Sequence, residues 1–128
     1  MSRNRKSARA AGQRFESLVA AYLNTHVDDR IERRRQGGNQ DRGDISGLRH
    51  MGQRIVVECK DYGGQLKPGP WVEEAEVERL NDSAGVGIVV AKRRGTTAPG
   101  DQFVLMTLAD LVALLTGSRD HVEADNDQ

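Results

Sequence analysis

Three charged side chains on two strand-like segments carry the clearest chemical signal in this chain. They are Asp44, in Asp44-Ile45-Ser46-Gly47, and the pair Glu58 and Lys60, in Val56-Val57-Glu58-Cys59-Lys60. Side chains on a strand alternate between faces, so Glu58 and Lys60 share one face and Cys59 takes the other. Ile55, Val56 and Val57 lead into the pair, the mark of a strand that runs through a core. Unpaired charge is costly to desolvate, so a carboxylate and an ammonium at the end of such a strand need a reason. With Asp44 on a neighbouring strand they make two carboxylates and one lysine, an all-oxygen seat for Mg²⁺, with Mn²⁺ as a substitute. A cation held there would activate a water and polarise a phosphate ester. Lys60 would orient that water and stabilise the extra negative charge on the phosphoryl oxygens. The competing reading is a buried Asp–Lys–Glu ion cluster with no catalytic role. Such clusters rarely stabilise a fold more than apolar packing does, which favours the catalytic reading.

These residues need elements to position them. Ala8 to Asn24 carries Ala11, Phe15, Leu18, Val19, Tyr22 and Leu23 at helical spacing. Glu16 borders that apolar stripe, and position alone leaves a half-buried and a solvated carboxylate equally open. Arg30 to Arg35 reads as a short strand, 36–40 as a loop, Asp44 to Leu48 as a second strand and Gln53 to Lys60 as the strongest. Pro70 opens a helix to about Asp82, with Glu73, Glu74 and Glu76 near its positive end. Val86 to Ala91 and Gln102 to Met106 are further strands. Thr107-Leu108-Ala109-Asp110 resembles a capping box before a helix whose apolar face is Leu108, Leu111, Val112, Leu114 and Leu115. The order is α-β-β-β-α-β-β-α, a mixed α/β sandwich with a central sheet flanked by helices.

The 128 residues make one domain, expected over 8–116, with a basic flexible arm at 1–7 and an acidic, disordered tail at 117–128. No segment approaches a membrane span, no apolar leader follows the basic start, and a single cysteine excludes a disulfide framework; a cytoplasmic setting is expected. No P-loop or dinucleotide loop occurs, so no nucleotide cofactor is expected. Net charge is zero but segregated. Residues 1–60 hold 13 Lys and Arg against 7 Asp and Glu, whereas 61–128 hold 6 against 12. A basic half around an acidic site suits a polyanion held by its phosphates. Arg9, Arg33, Arg34, Arg35 and Arg42 are the candidate phosphate contacts. Tyr62 is a candidate for stacking on a base, and Trp71 reads more readily as core.

Gly12-Gln13-Arg14-Phe15-Glu16 in the first helix, Gly43-Asp44-Ile45 and Glu58-Cys59-Lys60 together resemble the PD-(D/E)xK nuclease superfamily. The likeness is greatest to the Holliday junction resolvases of archaea and to resolvase-like proteins of actinobacterial phages, and it spans residues 8 to about 94. The resemblance implies a restriction-endonuclease-like fold and a homodimer that cuts four-way or branched DNA. It also implies catalytic roles for Glu16, Asp44, Glu58 and Lys60, with metal at Asp44, Glu58 and Glu16. If the chain is phage-encoded, its compartment is the host cytoplasm. Two departures stand out: Gly43 occupies the proline position of the superfamily pattern, and the 37–42 loop lacks the serine that archaeal resolvases carry there. Two alternatives stay open, a restriction-like or repair nuclease on duplex or flap DNA, and a non-catalytic DNA-binding protein.

Overall fold

The computed structural model describes residues 4–34 and 40–126. Arg35, the 36–39 part of the loop, the first three residues of the expected arm and the last two of the expected tail lie outside the described residues. Helix α1 (Arg5–His26) is followed by strands β1 (Glu32–Arg33), β2 (Ile45–Ser46), β3 (Arg49–His50) and β4 (Gln53–Lys60). Helix α2 (Pro68–Asn81), strand β5 (Val86–Ala91), a 3₁₀ turn (Pro99–Asp101), strand β6 (Phe103–Leu105) and helices α3 (Leu108–Thr116) and α4 (Asp120–Asn126) complete the order. The protein is thus mixed α/β, with a six-stranded mixed sheet and, among the described residues, four helices.

The sheet runs β1-β2-β4-β5-β6, with β3 paired to the start of β4. β4 and β5 are parallel, with Glu58 opposite Val89 and Lys60 opposite Ala91; the other pairings are antiparallel. Parallel neighbours cannot be joined by a tight turn, so α2 is the crossover between them. The two faces of β4 then bury different company. Ile55 and Val57 join Phe15, Val19, Ile31, Ile45, Val86 and Val90 in the main core, with Cys59 packed against it. On the other face Val89 and Ala91 of β5 pack with Trp71 and Ala75 of α2. Burying each such valine or larger side chain stabilises the fold by about 1.5–3 kcal/mol. Gly87 lets α2 come close, because a Cβ there would meet the Ala75 carbonyl oxygen at 3.0 Å.

Several expectations need correction. The first helix starts at Arg5, where Asn4 caps it by accepting from the Ser7 N–H, so residues 5–7 are helical and not part of an arm. α2 starts at Pro68, two residues early, which leaves no acidic residue in its first turn and removes the proposed helix-end role of Glu73, Glu74 and Glu76. A short helix, α4, occupies the stretch expected to be disordered. Thr107 does cap α3, accepting from the Asp110 N–H. The buried side of α3, however, is Ala113 and Asp110, and Leu108 and Leu115 are mostly exposed, with Leu111 also on the surface. Arg119 pairs with Asp110 at 2.5 Å and donates to the Gly85 carbonyl, so the buried Asp110 has a charged partner, while Leu114 packs against the main core beside Ala113.

Candidate active site

The site forms where the end of β4, the start of β2 and the inner face of α2 meet. Asp44 is fastened there by its backbone and its side chain. Its N–H donates to the Val57 carbonyl at 2.8 Å, and its Oδ2 accepts from the Cys59 N–H at 2.8 Å. The preceding turn is built on Gly43, whose φ of +91° is closed to proline and strained for other L-residues. A Cβ on Gly43 would also meet Val56 Cγ1 at 2.9 Å and the Val57 carbonyl oxygen at 3.0 Å. The Gly43 N–H donates to Asp41 Oδ1 at 2.9 Å, a bond proline could not make. Glycine at position 43 therefore has a local physical cause.

Glu58 is 4 % exposed and Asp44 8 %, yet both are carboxylates. Burial pushes the Glu58 carboxyl well above the usual carboxylate range, and contact with the Asp44 and Glu78 carboxyls and their charges pushes it further. Glu78 of α2 is 1 % exposed, and neither of its side-chain oxygens has a hydrogen-bond partner. Its pKa is raised to about 7, first by burial, with the Asp41 and Glu74 charges adding to the effect and contact with Glu58 opposing it. The carboxylate oxygens of Asp41, Glu58, Glu74 and Glu78 all lie within 4.8 Å of one another.

Lys60 is half-buried on the same face of β4 as Glu58, and its Nζ sits 2.7 Å from the Glu74 carboxylate. Burial pulls the ammonium pKa down, but the Glu74 bond and the Glu58 and Glu74 charges outweigh it, so the net shift is upward. Glu16, half-buried on α1, is raised by burial and then by the Asp44 charge, against which Arg33 works at 3.4 Å. Cys59 points away into the main core, and burial raises its thiol pKa, so it is an inert small core side chain.

The four expected catalytic residues are therefore brought into one neighbourhood, with Asp44 against both Glu16 and Glu58. The tight carboxylate group is a different set from the expected metal ligands. It keeps Glu58, leaves out Asp44 and Glu16, and adds Asp41, Glu74 and Glu78. Glu78 was legible: it stands seven residues after Trp71 and three after Ala75, on the helix stripe that faces the sheet. Asp41 offered no such signal, since its place depends on the Gly43 turn and on Asn81, whose Nδ2 donates to its carbonyl at 2.8 Å.

The expected phosphate contacts divide. Arg9 and Arg42 are exposed. Arg33 pairs with Glu16, and Arg34 is half-buried 3.8 Å from Asp82, so both already have partners inside the fold. Tyr62 is exposed, its ring 5.2 Å from that of buried Trp71 and Lys67 Nζ 5.4 Å from its centroid. Trp71 is core, as its place in the helix suggested. Lys92 donates to the Arg93 and Thr96 carbonyls, and Arg94 reaches the Gly63 carbonyl at 3.4 Å, so that basic run braces loops beside the site.

Comparison with protein-family models, curated proteins and solved structures finds no match to this chain. Among the described residues no helix is long and apolar enough to cross a membrane.

Proposed function

We propose that this protein is a metal-dependent, structure-selective DNA endonuclease of restriction-endonuclease-like fold, acting as a homodimer on four-way or other branched DNA. The observation that carries the reading is the placement of Lys60 beside buried Glu58 on one face of β4, with Asp44 at the adjoining start of β2. The donors fit a hard divalent cation, because Glu58 is buried among further carboxyls, Asp44 and Glu78, and both oxygens of Glu78 lack a partner.

Asp44 and Glu58 would hold the cation, with Glu16 behind Asp44. Bound Mg²⁺ supplies Lewis acidity toward a phosphodiester and lowers the pKa of a water. The residues of the chain do the rest. Lys60 lends its ammonium to the developing charge on the phosphoryl oxygens. Glu16 and Asp44 keep the local potential negative enough to retain a cation. Arg9 and Arg42, both exposed, would contact the DNA backbone. Arg33 and Arg34 would contact phosphate only by leaving Glu16 and Asp82. The dimer part of the reading draws support from α3, whose Leu108, Leu111 and Leu115 stand at i, i+3 and i+7 on its surface.

The test is Mg²⁺ with labelled four-way junction, matched linear duplex and flap DNA, with Glu58→Ala and Lys60→Ala as controls. Paired symmetric nicks in the junction alone, absent in both variants, are expected. Equal cutting of all substrates would make the protein a general or repair nuclease. Binding without cutting would leave a DNA-binding protein and overturn the enzymatic reading.

A further inference from the structure

We propose that Asp41, Glu58, Glu74 and Glu78 form a divalent-cation site between β4 and α2, a set that shares Glu58 with the Asp44 neighbourhood and does not include Asp44. Four carboxylate oxygens within 4.8 Å of one another, from a loop, a strand and successive turns of one helix, offer oxygen ligands in the number a hard cation takes from protein. An acidic cluster alone is common on protein surfaces, and Glu78 is what sets this one apart. It is 99 % buried, aimed into the cluster, and both of its oxygens lack any hydrogen-bond partner. A buried carboxylate left in that state costs several kcal/mol on the order of a lost charge-assisted bond, unless something meets it.

The fold holds Glu78 there and gives it no way out. Trp71, Ala75 and Glu78 form the buried stripe of α2, and Gly87 seats that stripe close against β5. Lys60 meets the cluster at Glu74 and leaves the Glu78 end without a cation among the described residues. Asp41, in contrast, is exposed, and its carboxylate is held by the Gly43 N–H. It supplies the solvent-facing ligand and the entry path such a site needs. Glu58 belongs to both sets, so it would be shared between this cation and one at Asp44. The site stands on the geometry of the four carboxylates and does not depend on the nuclease reading.

The experiment is titration of the purified full chain, without DNA, with Ca²⁺ by calorimetry and with Mn²⁺ by electron paramagnetic resonance. Wild type, Glu78→Gln, Glu74→Gln and Asp44→Asn are compared, with circular dichroism to confirm folding. Saturable binding is expected, weakened by about tenfold or more in Glu78→Gln and Glu74→Gln, as loss of a ligand should do. In Asp44→Asn this binding event should persist within about threefold. No saturable binding in the wild type would overturn the proposal. So would unchanged binding in Glu78→Gln, or binding that disappears in Asp44→Asn alone. If Glu78→Gln does not fold, Glu74→Gln, at a half-exposed position, reads the same site. Because no DNA is present, failure to cleave a junction would not touch this result, and failure to bind here would not settle cleavage.

Discussion

Glu58 on β4 and Glu78 on α2 meet across the strand–helix interface, 4 % and 1 % exposed, with no hydrogen-bond donor satisfying Glu78. Two acids in that position cannot both be charged cheaply, and this makes the protein's stability depend on pH.

The cation-free protein should lose stability as pH rises. Glu78 has a folded pKa raised to about 7 against an ordinary 4.5, so the folded state binds the extra proton. Its contribution is favourable below the unfolded pKa and falls as pH climbs from about 4.5 through 7, by an amount on the order of 1–3 kcal/mol. Glu58, also raised, works in the same direction. Thermal melts in chelator between pH 5 and 8 should show the fall, and Glu78→Gln should flatten it. A wild-type melting temperature that rises over that range would refute this account.

Lys60→Ala should reduce cleavage by about 10²–10³-fold, the usual cost of deleting a donor aimed at developing negative charge. DNA binding and the far-ultraviolet spectrum should change little, because Lys60 is half-buried and its partner Glu74 is half-exposed. Gel-shift affinity measured beside single-turnover rates separates the two effects. Loss of folding instead would point to a structural ion cluster.

Gly43→Ala should destabilise the protein by roughly 1–3 kcal/mol through the left-handed backbone and the approach to Val57. Gly43→Pro should be worse, since it also removes the N–H that holds Asp41. Chemical denaturation measures both. Equal stability for the proline variant would show that the turn can rearrange.

Glu16 reports on its neighbours. Its pKa is raised by burial and by the Asp44 charge and lowered by Arg33. Asp44→Asn should bring it down toward the ordinary value, and Arg33→Ala should take it up. Carboxyl carbon chemical shifts followed through a pH titration would read the direction of each.

The homodimer proposed through α3 is testable as well. Leu111→Glu or Leu115→Glu on α3 should shift light-scattering mass from dimer to monomer without unfolding the protein, because neither side chain is in the buried core. A wild-type mass of 14.1 kDa would remove the premise.

Strand β4, the crossover helix and the Asp44–Glu58–Lys60 grouping were legible because each rests on local rules: alternation, apolar runs and helical spacing. What escaped was set by contacts distant in sequence. Buried Asp110 of α3 is partnered by Arg119, which also reaches Gly85, and no periodicity encodes that pairing. The pairing of Arg33 with Glu16 and of Arg34 with Asp82 likewise joins residues distant in sequence, and gives two expected DNA contacts partners within the fold. Glu78, in contrast, lies on the Trp71–Ala75 stripe of α2, so helical spacing alone places it at the sheet.

The docking of α2 on the sheet has a kinetic implication for the acidic cluster. β3 and β4 are neighbours in sequence and form a local hairpin, whereas Glu74 and Glu78 reach Glu58 only when α2 docks on the sheet. The crowding of these carboxylates is therefore a property of helix docking and not of hairpin pairing, and a dissolved cation that screens it would act on the docking of α2 more than on the zipping of β3 with β4.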